Sequence, residues 1–531
     1  MFKRSFPIMT LAFITIFVSP LFIAATPYGK QDNRYVDLQL IGLNDFHGQL
    51  DTVRKVNDQP VGTAPILARY IKEREKAVRN SLIVTAGDMV GASSPTSSLL
   101  QDEPTVDFFN QIGVDVGGIG NHEFDEGVAE MKRLIYGGYH EKTGYYKGAK
   151  FPYICANVVD NQTGKHILPP STIKKVDGIK VGFIGIVTQT TPSVVIPEHV
   201  KSVTFTDEAD AVNREVKRLK KKGVEAIIVL AHEGGKQTDD QITGPIKEIV
   251  EKMDDEVDVV FAGHSHSVLN GKIGNKLVVQ SYSYGTAFAD VDLVLDRKTK
   301  DIIQKKSEIV TTFHEGKQPH KRVQKIVDRA KKRVEPIINQ EIGQAAQDIT
   351  KIGNEAGESA LGNLIADSQR VQMGTDFAFM NPGGIRADIN KGAVTWGDLY
   401  TVQPFGNDLV KMELTGKQIR QLLNQQWADP NRIHMLQISG FSYTWDESPS
   451  EDRILSLKKT DGTTINDTET YTVTANAFLA GGGDNFTVFK EAKNKEIGPV
   501  DLDAIISYIK QQPQPFTADI EGRIQKYIPQ T

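Results

Sequence analysis

The sequence predicts an α/β protein with two domains, and three observations support this prediction. The chain has 531 residues, which is too many for one ordinary domain core. From Val36 to about Thr312, short apolar runs alternate with amphipathic stretches, as expected when strands alternate with helices around buried sheets. A charged helical stretch over residues 316–343 then separates residues 36–315 from a second, α+β pattern over residues 344–531.

The strands of the first domain are predicted from apolar runs that end in polar residues. These runs are 37–43, 81–86, 181–186, 226–230 and 257–262. Amphipathic helices are expected between them, for example over Ala64–Arg79 and Ala209–Lys222. Because active sites of α/β folds lie at the carboxyl ends of strands, the polar clusters that follow these runs are candidate functional residues.

The stretch over residues 316–343 carries apolar residues at helical spacing, among them Val323, Val327 and Val334. We expect a linker helix that joins the two domains. A coiled-coil partner helix is the alternative, and the stretch is too short to favour it. In the second domain, an amphipathic helix is expected from Ser359, which is available near its start.

The first 25 residues are typical of a signal peptide. Lys3 and Arg4 precede an apolar stretch from Phe6 to Ile23, and small residues suited to cleavage follow it. A retained membrane anchor is the alternative interpretation, but Pro7 and Pro20 interrupt the stretch. We therefore expect a secreted, cell-surface or periplasmic protein without stable membrane insertion after cleavage.

Composition limits the class of protein. The chain is 39% hydrophobic and 24% charged, which is typical of a soluble globular protein. A formal net charge of −5 without a strongly basic block argues against a partner that is a nucleic-acid polymer. The single cysteine, Cys155, excludes an internal disulfide and lies in an apolar run, so we expect a core residue.

Five segments offer metal ligands. They contain the pair Asp45 and His47, the carboxylate of Asp88, the amide of Asn121, the imidazole of His232, and the pair His264 and His266. Residues two apart in an extended or tight-turn segment project the same way, so Asp45 and His47 can share one ion. Mixed oxygen and nitrogen ligands favour Zn, Mn, Fe or Co.

A sixth feature accompanies the ligands. His122 and Asp125 are three residues apart and meet if a helical turn begins there. A carboxylate beside an imidazole favours the imidazolium and fixes its orientation. This pair is the candidate general acid.

Taken together, the motifs Asn44-Asp-Phe-His-Gly48, Gly87-Asp88, Gly120-Asn-His-Glu-Phe-Asp125 and Gly263-His-Ser-His266 resemble the calcineurin-like metallophosphoesterase signature. The first and third are similar to those of the secreted 5′-nucleotidase family. Segments 381–386, 403–406 and 477–484 resemble that family's substrate-binding segments. The resemblance implies an N-terminal four-layer α/β/β/α sandwich, a linker helix and a C-terminal α+β substrate-binding domain.

The resemblance also implies roles for individual residues. Asp45, His47 and His266 would bind one divalent metal ion, while Asn121, His232 and His264 bind a second, and Asp88 would bridge the two. His122 and Asp125 match the catalytic pair. The substrate residues implied are the two base-clamping rings Phe405 and Phe478, the nucleoside contacts Asn381 and Asp484, and the nucleotide-gripping Arg386.

The chain departs from the family in one place that bears on the substrate. Glu355 and Gly357 stand where many members carry further arginines. The expected function is a secreted dinuclear-metal hydrolase that releases phosphate from nucleotides. The alternatives are a 2′,3′-cyclic nucleotide phosphodiesterase or nucleotide-sugar pyrophosphatase on the same scaffold, and a catalytically silent surface protein that binds nucleotides. The sequence does not indicate an oligomeric state.

Overall fold

The structure is a computed structural model that describes residues 34–429, 433–448 and 452–528. The signal peptide predicted over residues 1–25 lies outside this part of the chain. Over the described ranges, none of the helices combines the length and apolar character needed to cross a bilayer.

The first domain contains twenty strands and nine α-helices in its described part. Its strands are β1 Tyr35–Leu43, β2 Val53–Val56, β3 Gln59–Gly62, β4 Ser81–Ala86, β5 Val116–Gly118, β6 Gly138–His140, β7 Gly144–Tyr146, β8 Tyr153–Ile154, β9 Val158–Asp160, β10 Ser171–Val176, β11 Ile179–Val187, β12 Val203–Phe205, β13 Ala226–His232, β14 Lys236–Thr238, β15 Gln241–Thr243, β16 Val257–Phe261, β17 Val268–Ile273, β18 Lys276–Ser281, β19 Ala287–Asp296 and β20 Ile302–Thr311. Its helices are α1 Ala64–Ala77, α2 Pro95–Ser98, α3 Glu103–Ile112, α4 Gly127–Tyr136, α5 Thr191–Val194, α6 Pro197–Val200, α7 Glu208–Lys220, α8 Pro245–Lys252 and α9 Lys321–Ile338.

Two six-stranded sheets form the centre of this domain, in the orders β20-β19-β1-β4-β5-β8 and β10-β11-β13-β16-β18-β17. The core between them combines residues of both sheets, such as Leu40, Val84, Ile228 and Val259. Helices α1 and α3 pack on the outer face of the first sheet. Helices α7 and α8 cover the second. The predicted α/β/β/α sandwich is therefore confirmed.

Helix α9 packs against the first domain. Its Val323 and Val327 join the core on the outer face of the first sheet, and Ala330 and Val334 pack with Leu100. The apolar face of this helix is therefore part of the core of the first domain.

The second domain has smaller sheets and five α-helices in its described part. Its elements are β21 Glu341–Ala345, α10 Ala360–Met373, β22 Phe377–Met380, β23 Gly392–Thr395, α11 Trp396–Val402, β24 Asp408–Thr415, α12 Gly416–Asn424, β25 Gln437–Ser439, β26 Phe441–Trp445, β27 Ile454–Lys459, β28 Thr470–Asn476, α13 Ala477–Ala480, β29 Lys493–Val500, α14 Asp501–Gln511 and β30 Ile524–Lys526. The largest sheet has the order β25-β22-β28-β24-β29. Ser359 caps α10, since its side chain accepts a hydrogen bond from the Gly362 N–H.

Cys155 lies in the core, as expected from its apolar segment. The thiol is fully buried and free. Burial raises its pKa to about 12, so the reactive thiolate is disfavoured.

Candidate metal centre and adjoining substrate residues

The predicted ligands follow strands of both sheets at their carboxyl ends. Asp45 and Asp88 follow β1 and β4 of the first sheet, His232 ends β13, and His264 follows β16 of the second. Since the two sheets pack face to face, ligands from five separate segments meet at one edge of the sandwich.

The backbone at these ligands is strained. Five of them have positive φ angles in a region that L-residues rarely adopt: Asp45 at 49°, His47 at 50°, Asp88 at 55°, His264 at 70° and His266 at 53°. Each such residue costs roughly 1–2 kcal/mol. Strain concentrated on one set of ligand-type side chains indicates a functional site.

The first ligand cluster consists of Asp45, His47 and His266, whose ligand atoms lie within 4.8 Å of one another. The Nε2 atoms of the two imidazoles are 3.2 Å apart. His266 Nε2 lies 3.5 Å from an Asp45 carboxylate oxygen. Two ring nitrogens and a carboxylate therefore point at one small volume.

The second cluster consists of Asp88, His232 and His264, joined by Asn121. His232 Nε2 lies 3.1 Å from Asp88 Oδ2. The Asn121 amide oxygen lies 3.1 Å from His232 Nε2 and 2.9 Å from His264 Nδ1. The structure therefore brings together all four residues expected at this position.

Asp88 stands between the two clusters. The carboxylate oxygen that faces His232 is also 3.7 Å from His47 Nε2. A third group of ligand atoms within 4.8 Å of one another contains His47, Asp88 and His122. This is the position that a bridging carboxylate needs.

The hydrogen bonds of two ligand histidines and the pKa values of His47 and His264 fit metal binding. His47 Nδ1 lies 2.8 Å from the Gly91 carbonyl and His232 Nδ1 lies 2.9 Å from the Ala86 carbonyl. Each Nδ1–H can donate to its carbonyl, which leaves the Nε2 lone pair directed at the cluster. Burial lowers the pKa of His47 well below its usual value and that of His264 to about 4, so both are neutral ligands. For His232, burial opposes the charged imidazole, but Asp88 outweighs it and raises the pKa to about 10, so a bound ion would displace that proton. The donor set fits two divalent ions of the Zn, Mn, Fe or Co type.

His122 and Asp125 form the pair that the sequence predicts. A short 3₁₀ turn over His122–Phe124 brings the Asp125 carboxylate 2.7 Å from His122 Nδ1. The ring's Nε2 then faces the clusters. Burial opposes the charged imidazole, but Asp125 and Asp88 outweigh it and raise the pKa of His122 to about 9.

Gly91 and Glu123 also shape the site, although the sequence analysis did not identify them. Gly91 has a φ of +81°, and a Cβ there would come within 2.7 Å of both His122 and Asp125. The buried Glu123 carboxylate accepts hydrogen bonds from the backbone N–H groups of Asp88 and Met89. In the sequence, Gly91 is indicated only by its position three residues after Asp88, and Glu123 only as the acidic residue of the Gly-Asn-His-Glu motif.

Two of the predicted substrate residues border the metal centre from the second domain. The Phe405 ring stacks on the His122 imidazole, with centroids 5.9 Å apart. The Arg386 guanidinium lies 5.8 Å from the centroid of that Phe405 ring. Both side chains are half-buried.

The other three lie together in the second domain, next to Gly383, whose carbonyl accepts a hydrogen bond from Arg386. Asn381 donates a hydrogen bond to Asp484 over 3.2 Å. The half-buried Phe478 ring lies against Gly483, where a Cβ would come within 2.5 Å of it. His434, which no sequence signal identified, has its Nδ1 3.7 Å from the Asp484 carboxylate.

Comparison with known proteins is consistent with this geometry. Residues 38–268 match the calcineurin-like phosphoesterase family, and residues 341–491 match the 5′-nucleotidase C-terminal domain. The 5′-nucleotidase precursor from Thermus thermophilus has a similar structure, with a TM-score of 0.79, 28% identity, and coverage of 92% of this chain and 99% of that one.

Two bacterial relatives align over most of the chain. Endonuclease YhcR of Bacillus subtilis is 44% identical to this chain over 92% of its residues. This chain spans only 41% of the length of that relative. Cell wall protein Lmo0130 of Listeria monocytogenes is 36% identical over 98% of this chain and 73% of its own length. The chain therefore belongs to the 5′-nucleotidase family, with a metallophosphoesterase domain followed by a 5′-nucleotidase C-terminal domain.

Proposed function

We propose that this protein is a dinuclear-metal phosphohydrolase that releases phosphate from nucleotides. The observation that carries the proposal is the pair of buried ligand clusters that share Asp88, next to a histidine oriented by Asp125. Family membership supports phosphoester hydrolysis as the reaction class.

In this proposal Asp45, His47 and His266 hold one divalent ion, and Asn121, His232 and His264 hold the other, with Asp88 between them. When bound, two such ions supply a nucleophilic hydroxide and neutralise charge on the phosphoryl oxygens. Gly91 and Ala86 orient the ligand imidazoles through their carbonyl groups.

His122 holds and delivers a proton at Nε2. Asp125 keeps Nδ1 protonated through the 2.7 Å contact, so Nε2 is the atom that faces the substrate. There it stabilises charge that develops on the phosphoryl group, or protonates the leaving oxygen. The second domain positions the nucleotide through Arg386 and Phe405 beside the metal centre, and through Asn381, Phe478 and Asp484 at the nucleoside.

Cleavage of phosphodiesters in a nucleic-acid strand is the second candidate. The observation that favours it is the 44% identity to a protein named an endonuclease. The net charge of −5 argues against binding along a long polymer, but it does not bear on a single diester held at a metal centre. The cyclic-nucleotide and nucleotide-sugar alternatives differ from these only in the substrate.

A substrate panel tests the proposal. The full chain, loaded with Mn²⁺, is assayed on AMP, 2′,3′-cyclic AMP, UDP-glucose and single-stranded DNA. We expect the highest kcat/KM with AMP and a loss of about 10²–10⁴-fold in His122→Ala. The variant His166→Ala, which changes an exposed histidine, is the matched control. Highest activity with DNA would favour the second candidate. Nucleotide binding without hydrolysis of any substrate would identify a silent binding protein.

We also propose that the protein acts outside the cytoplasm, at the cell surface or in the surrounding medium. The signal-peptide pattern in residues 1–25 and the 36% identity to a cell wall protein support this location. Fractionation of cells that express the full chain or a chain starting at residue 26 tests it. Retention of both forms in the cytoplasm would contradict it.

A further inference from the structure

A second cationic feature borders the metal centre. Arg54 lies on strand β2, outside every motif considered above. Its guanidinium carbon stands 3.8 Å from the centroid of the Tyr284 ring. The Tyr284 hydroxyl in turn accepts a 3.4 Å contact from Arg386 of the second domain. Arg54 of the first domain and Arg386 of the second domain therefore contact the same tyrosine.

Tyr284 connects these arginines to the metal ligands. Its ring centroid lies 5.1 Å from that of His266 and 5.6 Å from that of His47. Its backbone N–H donates to the Asp45 carbonyl over 2.7 Å. Its φ of 62° is a strained value for a tyrosine. The Tyr284 ring is thus held beside the loop that carries Asp45 and His47.

The hairpin that carries Arg54 is also anchored. Strand β2 pairs with β3, which places Arg54 opposite Val61. Val61 is fully buried and forms a β-bridge with Phe313. The neighbouring Lys55 is exposed and projects to the other face of the strand.

The two arginines lack salt-bridge partners in the described part of the chain. Among the residues that the structure describes, no carboxylate forms a salt bridge with Arg54 or Arg386. The Nε of Arg54 is buried and has no hydrogen-bond partner in that part of the chain. Each guanidinium offers planar donors that match phosphate oxygens. Burying such donors unpaired is costly unless an anion binds there.

We infer that Arg54 and Arg386 form a two-domain subsite for the phosphate that adjoins the scissile one. This inference rests on the proposed function and deepens it: a substrate with a second phosphate group would use the subsite, whereas AMP would leave it empty. Such a phosphate occurs in nucleoside di- and triphosphates and in nucleic-acid strands.

The position of the subsite favours the neighbouring phosphate over the scissile one. Arg54 contacts the Tyr284 ring rather than a ligand histidine, and that ring in turn lies beside His266. Arg386 lies between Phe405 and Tyr284. A phosphate held here would adjoin the metal centre on the side of Tyr284.

Calorimetric binding to the Mn²⁺-loaded full chain tests the subsite. The probes are α,β-methylene-ADP, which carries two phosphate groups and resists hydrolysis, and inorganic phosphate, which carries one. We expect Arg54→Ala to lose at least about fivefold more affinity for α,β-methylene-ADP than for phosphate. Arg54→Lys should lie in between, because it keeps the charge without the planar fork. Lys55→Ala is the matched control and should change neither Kd more than about twofold.

Equal loss for both probes in Arg54→Ala, or no loss in a folded variant, would overturn the inference. If Arg54→Ala does not fold, Arg54→Gln takes its place under the same criterion. The kcat/KM of the wild type and of the Arg54 variant is then compared for ADP and for a short oligothymidylate. The substrate with the larger loss is the one whose second phosphate Arg54 binds. A wild-type chain that hydrolyses no phosphoester would contradict the proposed function itself, independently of the binding results for Arg54.

Discussion

The imidazole of His122 stacks on the ring of Phe405, with centroids 5.9 Å apart and planes inclined by 16°. The proposed general acid of one domain thus contacts the proposed base platform of the other. A nucleobase cannot occupy the face of Phe405 that His122 covers. Binding of a nucleotide therefore uses the other face or requires the two rings to separate, which a change in domain angle would allow.

Removing the Phe405 ring should affect nucleotides more than simple phosphoesters. A base stacked on an aromatic ring contributes about 1–3 kcal/mol. We expect Phe405→Ala to reduce kcat/KM for AMP at least about fivefold more than for p-nitrophenyl phosphate, and Phe405→Tyr to restore most of the difference. Equal losses of kcat/KM on both substrates would show that the Phe405 ring positions His122 and does not stack on the base.

Gly91 should be needed to keep the His122–Asp125 pair in place. A Cβ at Gly91 would come within 2.7 Å of His122 and Asp125, whereas one at Gly113 would meet nothing within 4 Å. Both glycines have positive φ, so each change to Ala should cost roughly 1–2 kcal/mol of stability, and Gly91→Ala should cost more because of these contacts. Displacement of the pair should make Gly91→Ala about 10²-fold less active, with Gly113→Ala close to the wild type. Similar phosphate release by the two variants would contradict this account.

Asp258 should make stability depend on pH. Its side chain accepts the Ile227 N–H over 3.1 Å and lies 3.2 Å from Lys305. Burial raises its pKa from 3.8 to about 6 despite both contacts. A carboxyl group with a raised folded-state pKa contributes stability below its unfolded pKa, and that contribution is lost as pH rises through about 6.

Asp258→Asn stays uncharged and should therefore gain stability relative to the wild type between pH 4 and pH 8, by up to about 3 kcal/mol. Thermal melts at the two pH values, recorded in chelator, measure the gain. Asp292→Asn, at an exposed position on β19, is the control. A difference from the wild type that does not change with pH would disprove the role of Asp258.

Much of the fold and of the ligand set could be predicted from the sequence, because both depend on local patterns. Apolar runs that end in polar residues place ligands at strand ends, and three-residue spacing is enough for His122 to meet Asp125. The His122–Phe405 stack and the meeting of Arg54 with Tyr284 depend on how distant loops and two domains pack. No local pattern encodes those contacts.

The proposed function requires that the two ligand clusters hold two divalent ions on which hydrolysis depends. A titration of the chelator-treated chain with Mn²⁺ tests this requirement, with bound ions per chain and phosphate release from AMP followed together. We expect two ions per chain, no activity without them and full activity only when both have bound. Asp88→Asn should bind fewer ions and stay inactive, unlike the surface variant Asp177→Asn. Full activity in the ion-free chain, or saturation by a single ion, would contradict the proposed function.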